Sequence, residues 1–364
     1  MIKFNFLLKQ LYFINLFLIV ISSLAGFFLF FLFDFYFTKS NIYLNEYSDG
    51  WYELKSNFDG EANWGNKVYR LKTDDYGFRI NPDSLKKGKA NYIFLGDSFT
   101  FGINGGWSET FVGMFDINTD QVLINAGTSS YSPTPYLHQY RKAIANDLLS
   151  ERHSVIVGID ISDVQDEAGY WVEGPSHPIK RNTSANYDYR KFIRDHFSLT
   201  AKIGSVIEQF FSDGPTKLNL FRQEKMEIRS GFTWKEWDDL DKYSPLEGRG
   251  GYAPLGVAGG LRSIEKKLSQ ISDIARKNDS MLYILIYPWP DQIKFKQKYD
   301  WTLFAVQLCK KIYCEGVIDA QKSFFEFSSA NHDWYEKLYL TGDVHLNEKG
   351  NKIIYNSLKK VFKD

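Results

Sequence analysis

Cysteine is scarce in this chain, with two among 364 residues, and neither sign of charge is in excess, with 44 basic residues against 44 acidic. Two cysteines cannot staple a disulfide-built scaffold, and Cys309 and Cys314 in "LCKKIYCEG" lack the further ligands of a four-ligand zinc site. In an oxidising compartment they would form a disulfide clipping a helix end to the next strand; the alternative is two small buried hydrophobes. Balanced charge removes the basic footprint of a nucleic-acid binder, and no acidic tail is present. Internal repeats and low-complexity tracts are also missing, which excludes a solenoid. No cofactor and no metal is expected. Aromatics are plentiful at 17%, and core filling accounts for them more simply than carbohydrate-stacking surfaces do.

One long apolar run stands out. Residues 12–33, "YFINLFLIVISSLAGFFLFFLF", carry no charge and suffice to cross a bilayer as a helix. Lys3 and Lys9 precede the run, and Asp34 follows it. The positive-inside rule keeps residues 1–11 in the cytoplasm and the remainder outside, periplasmic or extracellular. A cleaved signal peptide would end at Ala25. The apolar run continues about eight residues further, too far for a signal sequence, so an uncleaved single-pass anchor is expected. A juxtamembrane segment then covers 34–69, and the main domain 70–364.

That domain alternates strand and helix patterns. Strand candidates are 92–95, 122–125, 154–159, 281–287 and 315–319, short and apolar on both faces as buried parallel strands are. Between them, 135–149 and 259–277 repeat apolar residues at helical spacing, as does the C-terminal stretch. This predicts a doubly wound α/β sheet covered on both faces. Residues 168–256 interrupt the rhythm and read as an insertion, with a helix-like piece over 187–211 and a Trp- and charge-rich end. Such insertions shape substrate sites.

In an open α/β sheet, ligands bind at the carboxyl ends of the strands. There the sequence places Gly96-Asp97-Ser98, then Asn125-Ala126-Gly127, then Asp160 with Asp163, Asp166 and Glu167, and late in the chain Asp343 and His345. A serine nucleophile needs a base in hydrogen-bond reach and an acid to orient that base. Ser98, His345 and Asp343 meet that need if they share one edge of the sheet. The backbone N–H groups of Ser98 and Gly127 would serve a developing oxyanion. Asp97 is expected to stabilise the turn, and the four later acids to lie in a loop with mostly solvated carboxylates rather than to hold a cation. Tyr131, Asp160 and Trp289 are candidates to line the substrate site. The other histidines, at 138, 153, 177, 196 and 332, lack matching partners.

"GDSFTFG", "NAGTSSYS" and "GDVHLNEKG" resemble, in content and order, the GDSL or SGNH hydrolase superfamily over roughly residues 70–364. The resemblance implies a flavodoxin-like three-layer α/β/α fold and ester chemistry. It implies Ser98 as nucleophile, His345 as base, Asp343 as orienting acid and Gly127 as oxyanion donor. Two departures stand out. The family's aspartate lies three residues before the histidine, where this chain has Gly342; the D-x-H spacing here resembles polysaccharide O-acetyltransferases of the same fold. The family's third oxyanion donor, an asparagine, aligns with Ile159, followed by Asp160. An ionised aspartate cannot donate a hydrogen bond. The expected function is a serine-dependent esterase or O-acyltransferase on a cell-envelope glycan, beside the lipid bilayer and, for a transferase, a multi-span acyl-exporting partner. A non-catalytic glycan-binding or assembly protein is the alternative.

Overall fold

A computed structural model describes residues 2–37, 43–64, 67–84, 86–103, 105–181, 197, 199–200, 203, 252–294 and 299–362. They fall into two compact units. The first is helix α1, Ile2–Phe37, together with Phe197, Leu199, Thr200 and Ile203. Within α1, Ile14–Tyr36 is long and apolar enough to cross a membrane or to act as a signal sequence. The helix continues without a break into the stretch read as a cytoplasmic N-terminus.

The second unit starts at Tyr43. Two antiparallel hairpins come first: β1 (Leu44–Glu46) with β2 (Tyr52–Leu54), and β3 (Asp59–Trp64) with β4 (Lys67–Lys72). Most of the segment expected as a juxtamembrane piece therefore belongs to this unit. Its Tyr43, Leu54, Tyr69 and Leu71 are buried in a cluster with Phe101 and Ile103.

A five-stranded parallel sheet follows, built from β5 (Ala90–Leu95), β6 (Leu123–Asn125), β7 (Leu149–Ile159), β10 (Met281–Ile286) and β11 (Gly316–Asp319) in the order β11-β10-β7-β5-β6. A two-residue hairpin, β8 (Trp171–Val172) with β9 (Ile179–Lys180), stands outside it. The strands lie where the sequence places them because each is a short apolar run with both faces covered.

Alternate residues serve opposite faces. Val155, Val157 and Ile159 of β7 join Leu282, Ile284 and Ile286 of β10 against helices α4 (Pro133–Ala145), α6 (Gly256–Lys277) and α7 (Trp301–Ile312). Ile156 and Leu285 face the other way, toward α3 (Phe111–Ile117), α8 (Gln321–Ala330) and α9 (Glu348–Val361). The result is a three-layer α/β/α sandwich. Each such fully buried aliphatic residue contributes about 1.5–3 kcal/mol. Cys309, in α7, and Cys314, just beyond it, are bridged with Cα atoms 4.9 Å apart, which ties the helix end to the approach of β11.

The helix-like piece over 187–211 and the Trp-rich stretch lie almost wholly outside the described residues. The ends of the expected insertion do not: Ala168, Trp171 and Tyr252 are buried in the sheet's core.

Candidate active site

The chain leaves β5 through Gly96, where a Cβ would fall 2.0 Å from the Thr100 hydroxyl, so only glycine permits the turn. Asp97 then caps the four-residue helix α2, Ser98–Phe101, accepting the Phe99 N–H at 2.9 Å. Ser98 is the first helical residue, so its N–H has no partner within the helix. Its hydroxyl lies 2.8 Å from His345 Nε2. His345 Nδ1 lies 2.6 Å from Asp343 Oδ1. With the proton on Nδ1, Nε2 is the nitrogen that would accept the serine proton. The ring also packs on Phe99, centroids 5.1 Å apart.

Residues 340–346 form the turn that presents the histidine. Gly342 adopts a positive φ of 76°. Asp343 Oδ1 also accepts the N–H groups of Val344 at 2.6 Å and His345 at 3.2 Å. Hence an acid two residues before the histidine reaches it through a tight turn. Tyr335, not singled out in the sequence, braces that turn: its hydroxyl accepts the Asp343 N–H at 3.0 Å and lies 2.8 Å from the Asp343 carbonyl.

Gly127 is held close to α2, since a Cβ there would lie 2.4 Å from Phe101 N. Its N–H is not idle, however: it donates to Asn125 Oδ1 at 3.0 Å, while Asn125 Nδ2 donates to the Thr100 carbonyl at 2.9 Å. An oxyanion would have to compete with Asn125 for that N–H. The sequence shows Asn125 and Gly127 side by side but not this internal bond.

Asp160 ends β7 and caps α5 (Ile161–Gln165). Its Oδ1 accepts the Ser162 N–H at 2.7 Å and the Ser162 hydroxyl at 2.6 Å, and its Oδ2 accepts the Trp289 indole N–H at 2.8 Å. Ile159, which aligns with the family's asparagine, is buried in the core. The polar edge of Trp289 is therefore engaged, and its half-buried ring sits 6.1 Å from Phe99.

Two expectations need correction. Tyr131 cannot line a substrate surface: it is fully buried, stacks on Trp51 at 5.2 Å, and its hydroxyl donates to the Tyr52 carbonyl. The acids after β7 are not mostly solvated either. Asp160, Asp163 and Glu167 are buried, because each is consumed in capping and tertiary hydrogen bonds. Asp163 accepts the Asp160 N–H at 2.9 Å and the Tyr136 hydroxyl at 2.8 Å. Glu167 accepts Ser132 at 2.6 Å and the Thr134 N–H at 2.7 Å. Burial first, and the charge of Asp160 second, push both Asp97 and Asp163 well above the usual carboxylate range. Burial also raises Asp160, against its Ser162 and Trp289 hydrogen bonds. Among the described residues no acid, cysteine or histidine group is arranged to hold a metal.

Arg79 is a second unforeseen feature. It is buried, and its guanidinium donates to the carbonyls of Phe101 at 2.5 Å, Gly102 at 2.8 Å and Gly105 at 2.7 Å, fixing the far end of α2. Burial pulls it down to about 10, so it stays charged at neutral pH. A cavity of about 780 Å³ lies elsewhere, lined by Phe115, Ile353, Tyr355 and Phe362; none of Ser98, Asp343 and His345 lines it.

No protein-family model matches the chain. No curated protein matches it either. Among solved structures it is similar to an acetyl xylan esterase at 14% identity and a TM-score of 0.40, over 74% of this chain and 98% of that one. It is similar to a catalytic mutant of an acetylxylan esterase from Geobacillus stearothermophilus at 12% identity and a TM-score of 0.40, over 76% and 95%. A member of the lipolytic G-D-S-L family from Veillonella parvula gives 13% and 0.40, over 74% and 97%. These likenesses are slight, and the chemistry of the site stands on this chain's own distances.

Proposed function

We propose that this chain is an SGNH-type serine esterase or O-acyltransferase, held by α1 in a membrane with its second unit outside the cytoplasm, and acting on an acyl ester of a cell-envelope glycan. The observation that carries the chemistry is the continuous relay Ser98–His345–Asp343, with links of 2.8 Å and 2.6 Å. Ser98 Oγ attacks the acyl carbonyl while His345 Nε2 takes its proton, and Asp343 stabilises the imidazolium. The Ser98 N–H faces the oxyanion. Collapse expels the alcohol, protonated by His345, and leaves an acyl group on Ser98. Water or a sugar hydroxyl then takes that group by the reverse sequence.

The D-x-H spacing favours transfer over hydrolysis. Transfer outside the cytoplasm needs a multi-span partner to deliver activated acyl groups, or a donor already acylated there. The glycan is supported by the anchor and the outward topology it implies. A non-catalytic glycan-binding reading draws on the Gly127 N–H being engaged by Asn125.

One experiment separates these. One portion of the purified protein is treated with a fluorophosphonate probe, and a separate, unlabelled portion is given an acyl-phenol donor with and without oligosaccharide acceptors. Labelling lost in Ser98→Ala, with acceptor-dependent turnover and an acylated sugar, is the expected result. Turnover indifferent to every acceptor would leave a plain esterase. Absence of labelling in the native protein would favour the binding reading.

A further inference from the structure

Asp34 lies in the last turns of α1, within the apolar stretch Ile14–Tyr36. A carboxylate at that depth must be satisfied by the protein, because lipid offers no donors. It is 1% exposed, and its donors come from far along the chain. The Leu199 N–H reaches Oδ1 at 3.0 Å, and the Thr200 N–H and hydroxyl reach Oδ2 at 2.7 Å and 2.6 Å. Beside this cap, the Phe197 ring packs on Phe31 and Phe35, each 5.7 Å between centroids. Whatever depth Phe31 and Phe35 occupy, Phe197 shares it. Phe31 lies about 7 Å along the helix from Tyr36, at 1.5 Å per residue.

Leu199, Thr200 and Ile203 are helical, and a spacing of four puts Leu199 and Ile203 on one face. Both are exposed, at 40% and 49%. On α1, Phe35, which packs on Phe197 and follows the Asp34 that holds Leu199, is an exposed apolar residue as well. Exposed apolar side chains thus continue from Phe35 at the end of α1 to Leu199.

We propose that this segment is a second membrane contact: it rides at the outer bilayer interface with Leu199 and Ile203 in the acyl region, Asp34 clasping its start. The occupant of the exposed face is lipid, since that face continues the surface of α1. The proposal rests on α1 being a retained anchor. It ties the chain to the bilayer at two places in the sequence, α1 and the residues around Leu199.

The test uses the full chain in phospholipid vesicles. The native cysteines are bridged, so single cysteines at Leu199, Ile203, Leu24 and Val68 accept an environment-sensitive fluorophore. Labels at 199 and 203 are expected to be quenched about two-fold or more by lipids carrying a nitroxide high on the acyl chain, and less by deep nitroxides. The label at 24 should show the opposite preference, and the label at 68, in a sheet hairpin, none. Asp34→Ala should at least halve the quenching at 199 and 203 and leave that at 24 unchanged. If 24 is quenched while 199 and 203 behave like 68, the second contact is overturned and the anchor stands. If 24 is not quenched, both fall. Labels at 199 and 203 that are shielded from water yet unquenched would place protein, not lipid, on that face and overturn the proposal.

Discussion

After β5 the chain reads Gly96-Asp97-Ser98, and from the end of β7 it reads Gly158-Ile159-Asp160-Ile161-Ser162; in both, an aspartate just past a buried parallel strand caps a short helix through the N–H two residues on. The serine fares differently in each. Ser162 stands two residues after its aspartate, and its hydroxyl folds back onto that carboxylate at 2.6 Å. Ser98 stands one residue after, 3.4 Å from Asp97 Oδ2, and its hydroxyl points to His345 at 2.8 Å. A capped strand-to-helix turn is thus a common part. What sets Ser98 apart as the proposed nucleophile is the offset of the serine by a single residue and a histidine brought in from 247 residues along the chain.

The sharpest way to break this comparison is to remove each hydroxyl. Ser98→Ala should lower ester turnover by about 10⁴-fold or more, and Ser98→Ala with His345→Ala should cost no more than either alone, because the relay acts as a unit. Ser162→Ala should leave turnover within about three-fold and lower stability by about 1 kcal/mol, the worth of one buried hydrogen bond. Initial rates and melting temperatures of the four variants, Ser98→Ala, His345→Ala, their double and Ser162→Ala, decide it. A Ser162→Ala protein as inert as Ser98→Ala would end the distinction.

Asp343→Asn should cost about 10⁴-fold in kcat, less than the roughly 10⁶-fold of a lost nucleophile, by stabilising the wrong tautomer of His345. Activity within a few-fold of native would mean that another acid orients the ring.

A smaller effect tests the packing behind the serine turn. Gly127→Ala inserts a methyl 2.4 Å from Phe101 N and should destabilise by about 1–3 kcal/mol, read as a drop in melting temperature. Its counterpart behind the other turn is Gly158, where a Cβ would meet only side-chain atoms at 3.0–3.4 Å, so Gly158→Ala should cost less.

The smallest effect concerns pH. Asp163 has its folded carboxyl raised by burial and by the Asp160 and Asp97 charges. Unfolded, it titrates near the ordinary value. Its contribution is therefore complete below the unfolded value and is lost as pH rises through the folded one. Melting temperature should fall as pH rises above the ordinary carboxylate range, and Asp163→Asn should flatten that slope. An unchanged slope would mean that the acid stays ionised in the fold.

Much of this was readable in advance, for physical reasons. Buried parallel strands are continuous apolar runs, and amphipathic helices carry a 3.6-residue period, so the five strands and the helices α4, α6 and α9 announce themselves. The residues of the relay sit at the carboxyl ends of strands or in a glycine-bearing turn, which is a local signal. What stayed hidden depends on partners distant in sequence. Nothing local marks Arg79 as a buried clamp on α2, Tyr131 as core rather than lining, or Tyr335 as the brace of the His345 turn. The acids after β7 look like a solvated loop because charge pattern reports composition, whereas their burial is decided by Tyr136, Ser132 and Thr134 on a neighbouring element.

The separation of 247 residues between Ser98 and His345 also sets a clock. A chain made at about 5–20 residues per second carries its serine out of the ribosome some 10–50 s before its histidine. Throughout that interval the hydroxyl has no base and is chemically ordinary. The enzyme proposed here is thus born disarmed, and it is switched on only when His345 and α9 have been delivered and α9 has closed against the sheet. A chain cut short anywhere before residue 345 would leave an intact serine turn with no chemistry.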